Sequence, residues 1–415
     1  MRRLAFLSFV AALGGILFGY DTAVISGTIS AVGDQFRLDA LAKGWYVGCA
    51  LVGSIGGVAV AGWLSDRFGR KPALLFSSVL FSVSALGCMW CVGFADLVAY
   101  RIVGGVGIGI VSVVSPVYIS EISPERIRGS MVALYQLAIT AGFVLAYLVN
   151  YLLLVNVRVA ELWRYMLGAE AVITLFFFAV VFFISESPRW LAARGAGRLS
   201  GGIPWEELKR PGIVKAMAIG CAIALLGQFM GVNAVLYYGP EIFADAGFAA
   251  QDSSFSTVLV GLVNMFSTIL AVFLIDRIGR KGLIYIGVSV MIACLVAIGL
   301  MFDLHVKGLA FVTAFLVYIF AQAMSISAVV FVLLSEMYPN RVRGVAMSVA
   351  GFSLWVGTYL IGQFTPWCRT TLGSSGTFYL FAAMCVPYLC IIRFLVPETT
   401  GKSLEEIEAY WQRQH

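Results

Sequence analysis

Histidine and charged residues are scarce in this sequence. The 415 residues include two histidines, His305 and His415. Because histidine is a common zinc ligand and the usual base of a catalytic triad, their scarcity argues against a histidine-based metal site and a triad enzyme. Only 12% of the residues are charged, about half the share in soluble domains. We therefore expect no soluble fold, no enzyme, no metal and no cofactor.

Apolar residues are correspondingly abundant, at 60% of the chain, and the mean hydropathy is +0.93. Stretches long enough to cross a bilayer lie at residues 4–31, 42–64, 73–93, 96–118, 129–153 and 162–184, and after a polar gap at 213–240, 254–275, 282–302, 308–334, 345–367 and 375–396. The eight cysteines lie mostly within these stretches. Cys88 and Cys91 are therefore predicted to be buried thiols rather than a redox or metal pair.

Three charged loops recur in the same order about 210 residues apart, which indicates an internal duplication. Gly62–Lys71 returns at Asp276–Lys281, Glu121–Gly129 at Glu336–Gly344, and Ser185–Arg189 more loosely at Pro397–Gly401. Duplicated halves in a membrane protein are typical of secondary transporters. The sequence predicts an all-α membrane protein with twelve transmembrane helices in two pseudo-symmetric six-helix lobes.

The predicted domains follow this duplication. Residues 1–185 form the first lobe, 186–212 a linker with a short helix, 213–396 the second lobe, and 397–415 a tail. Most of the 28 Lys and Arg residues fall on one side of the membrane if the N-terminus is cytoplasmic. By the positive-inside rule, both termini of this multi-pass cell-membrane protein are predicted to be cytoplasmic.

Ionisable residues inside the apolar stretches are few, and such residues mark ion or proton pathways. Asp21 and Arg101 are predicted at compatible depths in the outer half of the membrane. A carboxylate can exchange an arginine partner for a proton, which is the chemistry of proton coupling. A static ion pair that fixes helix packing is the alternative. Glu170 is a second, weaker candidate for the same role.

The duplicated loops carry acidic residues as well as basic ones. The positive-inside rule explains the basic residues but not the recurring acids, so we expect these groups to close the cytoplasmic side of the transporter. The predicted gating residues are Asp66, Arg67, Arg70, Glu121, Arg128, Glu186, Asp276, Arg277, Arg280, Glu336, Arg343 and Glu398.

Neutral polar side chains concentrate in the stretch Gly227–Tyr238. Gln228, Asn233 and Tyr237 place amide and phenol groups within the membrane, where each needs a partner. Gln136 and Asn264 add amides, and Trp355 offers a flat apolar face. Contacts between helices would explain any one amide. The set favours a site for an uncharged, polyhydroxylated ligand.

At these residues the chain resembles the sugar porter family of the major facilitator superfamily, which includes bacterial xylose–proton symporters and animal glucose facilitators. The resemblance covers Gly19–Gly27, the repeated loops, Pro116–Glu121, Trp163–Tyr165, Glu186–Trp190, Gln228–Tyr238 and Pro397–Thr399. It implies proton coupling by Asp21 and Arg101. It also implies sugar contacts by Phe18, Gln136, Gln228, Asn233, Tyr237, Asn264 and Trp355.

The sequence departs from this family at several positions. Gly227 replaces the first of two glutamines, and Ser327, Ala328 and Phe331 replace a Gly-Pro-x-x-Trp pattern. Leu354 stands where an amide is common, and Phe143 where the xylose symporters have glutamine. Lost partners for sugar hydroxyls weaken binding, so common hexoses and pentoses are expected to bind weakly.

The sequence therefore predicts a monomeric membrane transporter that imports a small neutral sugar or polyol with a proton by alternating access. Passive facilitation, or transport of a less polar solute, remains an alternative. A membrane sensor that binds sugar without transporting it is an alternative of another class. No nucleic-acid partner is expected, because the basic residues are dispersed among short loops.

Overall fold

A computed structural model describes residues 2–124, 128–195, 205–338 and 342–397, and their regular structure is helical throughout. The α-helices are α1 (Arg2–Val24), α2 (Ile29–Phe36), α3 (Ala40–Phe68), α4 (Arg70–Trp90), α5 (Phe94–Ile122), α6 (Arg128–Asn156), α7 (Leu162–Gly168), α8 (Glu170–Val181), α9 (Pro188–Gly195), α10 (Trp205–Leu208), α11 (Pro211–Phe229), α12 (Val232–Asp245), α13 (Ala250–Ile278), α14 (Arg280–Asp303), α15 (Leu309–Gln322), α16 (Ala328–Met337) and α17 (Arg343–Phe394).

Ten helices in the described ranges are long and apolar enough to cross a bilayer, and a pair bent by 52°, Ala12–Gly27 with Ile29–Phe36, adds an eleventh span. One of the ten, α17, has 52 residues and would be about 78 Å long, more than twice the bilayer core. Gly373 interrupts it with φ 75° and ψ 168°. Because α17 therefore joins two spans, the helices fit the predicted twelve transmembrane segments.

Two of the predicted spanning stretches contain a break in the helix. The stretch predicted at 4–31 stops at Val24, continues as a 3-10 turn at Ile25–Gly27 and resumes in α2. The stretch predicted at 213–240 stops at Phe229 and resumes at Val232. Apolar composition indicates the length of a span but not its continuity, so the sequence showed the two spans and not their breaks.

The repeated charged loop folds alike in both halves. Gly69 lies between α3 and α4 with φ 108°, and Gly279 lies between α13 and α14 with φ 85°. A residue with a Cβ rarely adopts this conformation, which explains the glycine of the motif. Each glycine lets the chain leave one spanning helix and begin the next within a single residue.

Small residues bring α3 and α5 into close contact. A Cβ on Gly53 would overlap the carbonyl of Ile102, and a Cβ on Gly105 would overlap the carbonyl of Ala50. These glycines therefore act as helix-packing positions. A Cβ on Gly56 would meet no atom within 4 Å, so Gly56 does not contribute to this packing.

The helices group into two compact units. The first contains Met1–Gly201 with Leu236–Glu241 and Ala249–Gly261, and the second contains Gly202–Val235, Ile242–Phe248 and Leu262–His415. Helices α9 and α10 lie in the predicted linker on either side of residues 196–204. Those residues, and the predicted tail helix that starts near Ser403, lie outside the described ranges. The domain boundaries stay predictions.

Candidate functional site

A buried ion pair joins α1 to α5 in the first unit. Arg101 Nη1 donates to Asp21 Oδ1 at 2.7 Å, and Arg101 Nη2 lies 3.4 Å from the backbone oxygen of Asp21. Asp21 is 0% exposed and Arg101 is 2% exposed. Gly104 lies beside this pair, since a Cβ there would lie 3.7 Å from Asp21 Oδ1, an ordinary contact distance, and it would overlap Ser84. The structure thus brings together the acid and base that the sequence singled out.

A second acid, Glu170, lies beside this pair at the start of α8. Glu170 is 2% exposed and interacts electrostatically with Asp21 and Arg101. Within the described part of the chain, Asp21 Oδ2, Arg101 Nε and Glu170 Oε1 are buried without a hydrogen-bond partner. The cluster therefore holds two carboxyl groups against one guanidinium and retains unused hydrogen-bonding capacity.

Neutral polar groups meet in the second unit at the end of α11. Gln228 Oε1 accepts from Asn233 Nδ2 at 2.7 Å, and Thr358 Oγ1 lies 3.2 Å from the same oxygen. The Thr358 hydroxyl also lies 3.0 Å from the carbonyl of Leu354, so its single hydrogen can serve only one acceptor at a time. We call Gln228, Asn233 and Thr358 the amide cluster.

Thr358 was not among the site residues predicted from the sequence. The available signal was a hydroxyl three residues after Trp355 in an otherwise apolar stretch. That signal is weak, because a threonine in a helix usually bonds the carbonyl four residues earlier. Only the fold places the hydroxyl beside Gln228.

The break between α11 and α12 positions the amide cluster. Met230 and Gly231 separate the two helices, and Gly231 has φ 89°. A Cβ on Gly231 would overlap the ring of Phe381. The carbonyl of Met230 accepts from Tyr318 Oη of α15 at 2.7 Å. Because Gln228 precedes the break and Asn233 follows it, the turn brings the two amides together.

The other predicted sugar-contacting residues occupy several helices. Phe18 on α1 and Trp355 on α17 are half-buried, Tyr237 on α12 and Asn264 on α13 are buried, and Gln136 on α6 is exposed. Among the predicted residues, the structure brings Gln228 and Asn233 into direct hydrogen-bonding contact. The roles of the remaining residues stay predictions.

The charged loop of the first unit centres on Arg70. Its guanidinium donates two hydrogen bonds to Glu121, from Nε to Oε2 at 3.0 Å and from Nη2 to Oε1 at 2.9 Å. Nη1 donates to Asp66 Oδ1 at 2.9 Å. Glu186 accepts from the backbone N–H groups of Arg70 at 3.0 Å and Lys71 at 3.1 Å. A carboxylate suits this place, since a helix N-terminus carries a partial positive charge.

The second unit repeats the central contact. Arg280 Nη2 donates to Glu336 Oε1 at 2.9 Å, and Lys281 Nζ donates to the carbonyl of Val396 at 2.8 Å, as Lys71 does to that of Phe182 at 2.7 Å. The remaining predicted gating residues differ in how far they are described. Arg67 lies 5.9 Å from the Phe68 ring, Arg343 donates to the Tyr338 carbonyl, and Arg277 is exposed. The side chains of Arg128 and Asp276, and Glu398 as a whole, lie outside the described parts of the structure.

A hydrogen-bonded cluster also surrounds the start of α7. Arg164 Nε donates to Glu161 Oε2 at 2.6 Å, Gln35 Nε2 donates to Glu161, and Trp163 Nε1 donates to Gln35 Oε1 at 2.7 Å. The hydrogen bond from Arg164 holds the pKa of Glu161 below its ordinary value, with a smaller contribution from Gln35. These bonds give the Trp163–Tyr165 motif a structural role, since they tie α2 to α7.

Comparisons with known proteins agree with this helical architecture. The family described as "Sugar (and other) transporter" matches residues 7–200 and 196–411. The arabinose-proton symporter of Bacillus subtilis (strain 168) is 36% identical over 437 residues, covering 98% of this chain and 94% of that protein. The D-xylose-proton symporter of Escherichia coli (strain K12) is 34% identical over 468 residues, covering 98% of this chain and 95% of its own.

Solved structures give the same result at the level of the fold. The inward-open structure of the xylose transporter of E. coli matches with a TM-score of 0.87 at 32% identity, covering 98% of this chain and 100% of that one. The chain has the twelve-helix, two-lobe fold of the major facilitator superfamily, and it belongs to the sugar (and other) transporter family.

Proposed function

We propose that this protein is a secondary active transporter that imports a small neutral sugar or polyol together with a proton. The observation that carries this proposal is the fully buried Asp21–Arg101 pair with Glu170 beside it. The names of the relatives support it, because two of them are called arabinose- and D-xylose-proton symporters. The family is one of transporters, in keeping with a role that involves no enzymatic reaction.

The proton step follows from the charges of the buried cluster. With both carboxyl groups ionised, Asp21, Glu170 and Arg101 together carry one excess negative charge. One proton makes the cluster neutral, and an unbalanced charge in the membrane interior is unfavourable. When that proton lies on Asp21 rather than on Glu170, it weakens the bond to Arg101, so α1 and α5 lose their ion pair. We infer that this exchange of partners links proton binding to a change of conformation.

The sugar step uses the amide cluster. Gln228 Oε1 accepts from Asn233 and lies 3.2 Å from the Thr358 hydroxyl, and amide or hydroxyl groups can exchange such bonds for bonds to sugar hydroxyls with little net change in free energy. Uncharged donors and acceptors suit an uncharged ligand. The sugar-contacting roles of Phe18, Gln136, Tyr237, Asn264 and Trp355 rest on the family resemblance.

Gating by the charged loops is part of the proposal. Glu121 makes the stronger contact with Arg70, because its side chain is 14% exposed whereas that of Asp66 is 55% exposed. Exposed pairs contribute about 0–1 kcal/mol, so Glu121 should matter more than Asp66. The distribution of Lys and Arg supports cytoplasmic termini in this multi-pass protein.

Uptake into proteoliposomes tests the proposed function. Radiolabelled L-arabinose, D-xylose, D-galactose and D-glucose would be offered with and without an inward proton gradient. Accumulation above the outside concentration, abolished by a protonophore, is the expected result. Equilibration of the sugar to the same level with and without the proton gradient would show passive facilitation instead. Binding without any flux would show a sensor.

A further inference from the structure

Helix α15 ends in a buried amide that belongs neither to the ion pair nor to the amide cluster. Gln322 is 3% exposed and is the last residue of α15, directly before a π-helix at Ala323–Ser327. The Ser327 hydroxyl lies 3.0 Å from Gln322 Nε2 and 3.2 Å from its Oε1. Within a continuous helix, residues five apart become neighbours in a π-turn, and such turns are frequent at functional sites.

The neighbours of Gln322 show which way its face of α15 is directed. Tyr318, Gln322 and Ile326 are spaced by four residues and therefore share one face. Tyr318 donates to the carbonyl of Met230, and Ile326 Cγ2 would lie 3.6 Å from a Cβ on Gly227. Residues on both sides of Gln322 thus contact the end of α11, where the amide cluster lies.

Another face of the same segment packs against α14. A Cβ on Gly287 would overlap the Ser325 side chain and lie 2.9 Å from the carbonyl of Ala321. Ala321 and Ser325 therefore mark the face directed at α14. Gln322 does not belong to that face, which leaves its amide on the face shared with Tyr318 and Ile326.

The Gln322 amide has more hydrogen-bonding groups than Ser327 can satisfy. A carboxamide offers two N–H donors and two acceptor lone pairs, and one hydroxyl can occupy at most one of each. The helix opposite carries Gly227, which supplies no side chain toward Ile326 and Tyr388. A buried polar group with unused capacity therefore lies on the face directed at a position without a side chain.

Building on the proposed function, we propose that Gln322 is a substrate-contacting residue that binds one sugar hydroxyl and so helps to determine specificity. On binding, the hydroxyl takes the N–H or lone pair that Ser327 leaves unused. Because an amide both donates and accepts, it suits a neutral polyol and offers no counter-charge to an anion. Gln322 thereby supplies an amide near the place where Gly227 lacks one.

A cycle of variants and deoxy sugars tests this role. Parent, Gln322→Met and Ser327→Ala proteins would be compared in proteoliposomes by inhibition of counterflow. The probes are the sugar from the uptake panel that the parent transports best and its monodeoxy analogues. Methionine keeps the volume of glutamine without its amide. Ser327→Ala is the matched control, because it removes the π-turn partner and keeps the amide.

The expected result is a loss confined to one hydroxyl. In the parent, one deoxy analogue should bind about five- to fiftyfold more weakly than the full sugar. In Gln322→Met the full sugar should weaken by a similar factor, and that analogue should weaken little further, because the two changes remove the same bond. Ser327→Ala should keep the preference of the parent for that hydroxyl.

The failures of the two proposals can be told apart. If the parent transports a sugar and Gln322→Met weakens every analogue by the same factor, Gln322 acts only on the π-turn and this inference is overturned alone. A Ser327→Ala protein that loses the same preference as Gln322→Met would overturn it too. Absence of any sugar transport by the parent would overturn the proposed function and this inference with it.

Discussion

In the first half of the chain the leading helix stops at Val24, and in the second half the corresponding helix stops at Phe229. Each break exposes a backbone carbonyl in a setting without water, and each is satisfied by a side chain from another helix. Asn150 Nδ2 donates to Val24 O at 3.0 Å, and Tyr318 Oη donates to Met230 O at 2.7 Å. In both halves, a side chain from another helix donates a hydrogen bond to the carbonyl that the break leaves without a backbone partner.

The chemistry beside the two breaks differs. The first half places Asp21 before its break and pairs it with Arg101, whereas the second places the neutral Gln228 and Asn233 around its break. Discontinuous helices at corresponding positions are the usual place of binding sites in duplicated transporters. The proposed function therefore assigns the ionisable pair to the first half and the amide cluster to the second, on a scaffold that both halves share.

The largest effect is expected from removing the charge at the first break. Asp21→Asn should abolish gradient-driven accumulation and preserve counterflow exchange, because the neutral amide resembles the protonated acid. Uptake and counterflow in proteoliposomes measure both. Asp34→Asn, at an exposed position of α2, is the matched control and should behave like the parent. If the Asp21 variant still accumulates sugar against its gradient, Asp21 is not the coupling acid.

The next effect concerns the shape of the second break. Gly231→Ala should lower the free energy of unfolding by about 2–4 kcal/mol, because alanine disfavours a positive φ and its methyl group would overlap Phe381. The melting temperature in detergent should fall accordingly. Gly351→Ala is the control, since nothing lies within 4 Å of a Cβ there, and it should be neutral or stabilising. Equal melting temperatures of the two variants would mean that the break between α11 and α12 tolerates a side chain at Gly231.

A smaller effect is expected from removing the side chain that satisfies the second break. Tyr318→Phe leaves the Met230 carbonyl buried without its hydroxyl donor, which costs about 1–3 kcal/mol. Sugar affinity should fall by a few fold while proton coupling stays intact, because Tyr318 lies in the half that holds the amide cluster and not the Asp21–Arg101 pair. Tyr165→Phe, at an exposed tyrosine, is the control. Loss of coupling in Tyr318→Phe would contradict the separation of the two halves.

The smallest effect should come from restoring a lost amide. Gly227→Gln should tighten binding of at least one common sugar by about two- to tenfold, the value of one hydrogen bond. A Cβ fits at this position, since it would lie 3.6 Å from Ile326 and 3.7 Å from Tyr388. Gly62→Gln, at an open position, is the control. Tight binding of unmodified glucose or xylose by the parent would show that other groups already fill this place.

The sequence alone was sufficient for the family, the membrane class and the ion pair. Apolar stretches of about 20 residues indicate spanning helices, and Asp21 and Arg101 stand out among apolar residues because burying an unpaired charge is costly.

Only the tertiary structure decided where the helices break and which neutral groups meet. A break costs backbone hydrogen bonds, so its position depends on whether a distant Asn150 or Tyr318 can supply the missing partner. Thr358 and Gln322 look ordinary in sequence, because a hydroxyl or amide in a helix usually serves local contacts. A charged residue within an apolar stretch can be recognised from the sequence, because it requires a partner. The role of a neutral polar residue depends on which groups the fold places beside it.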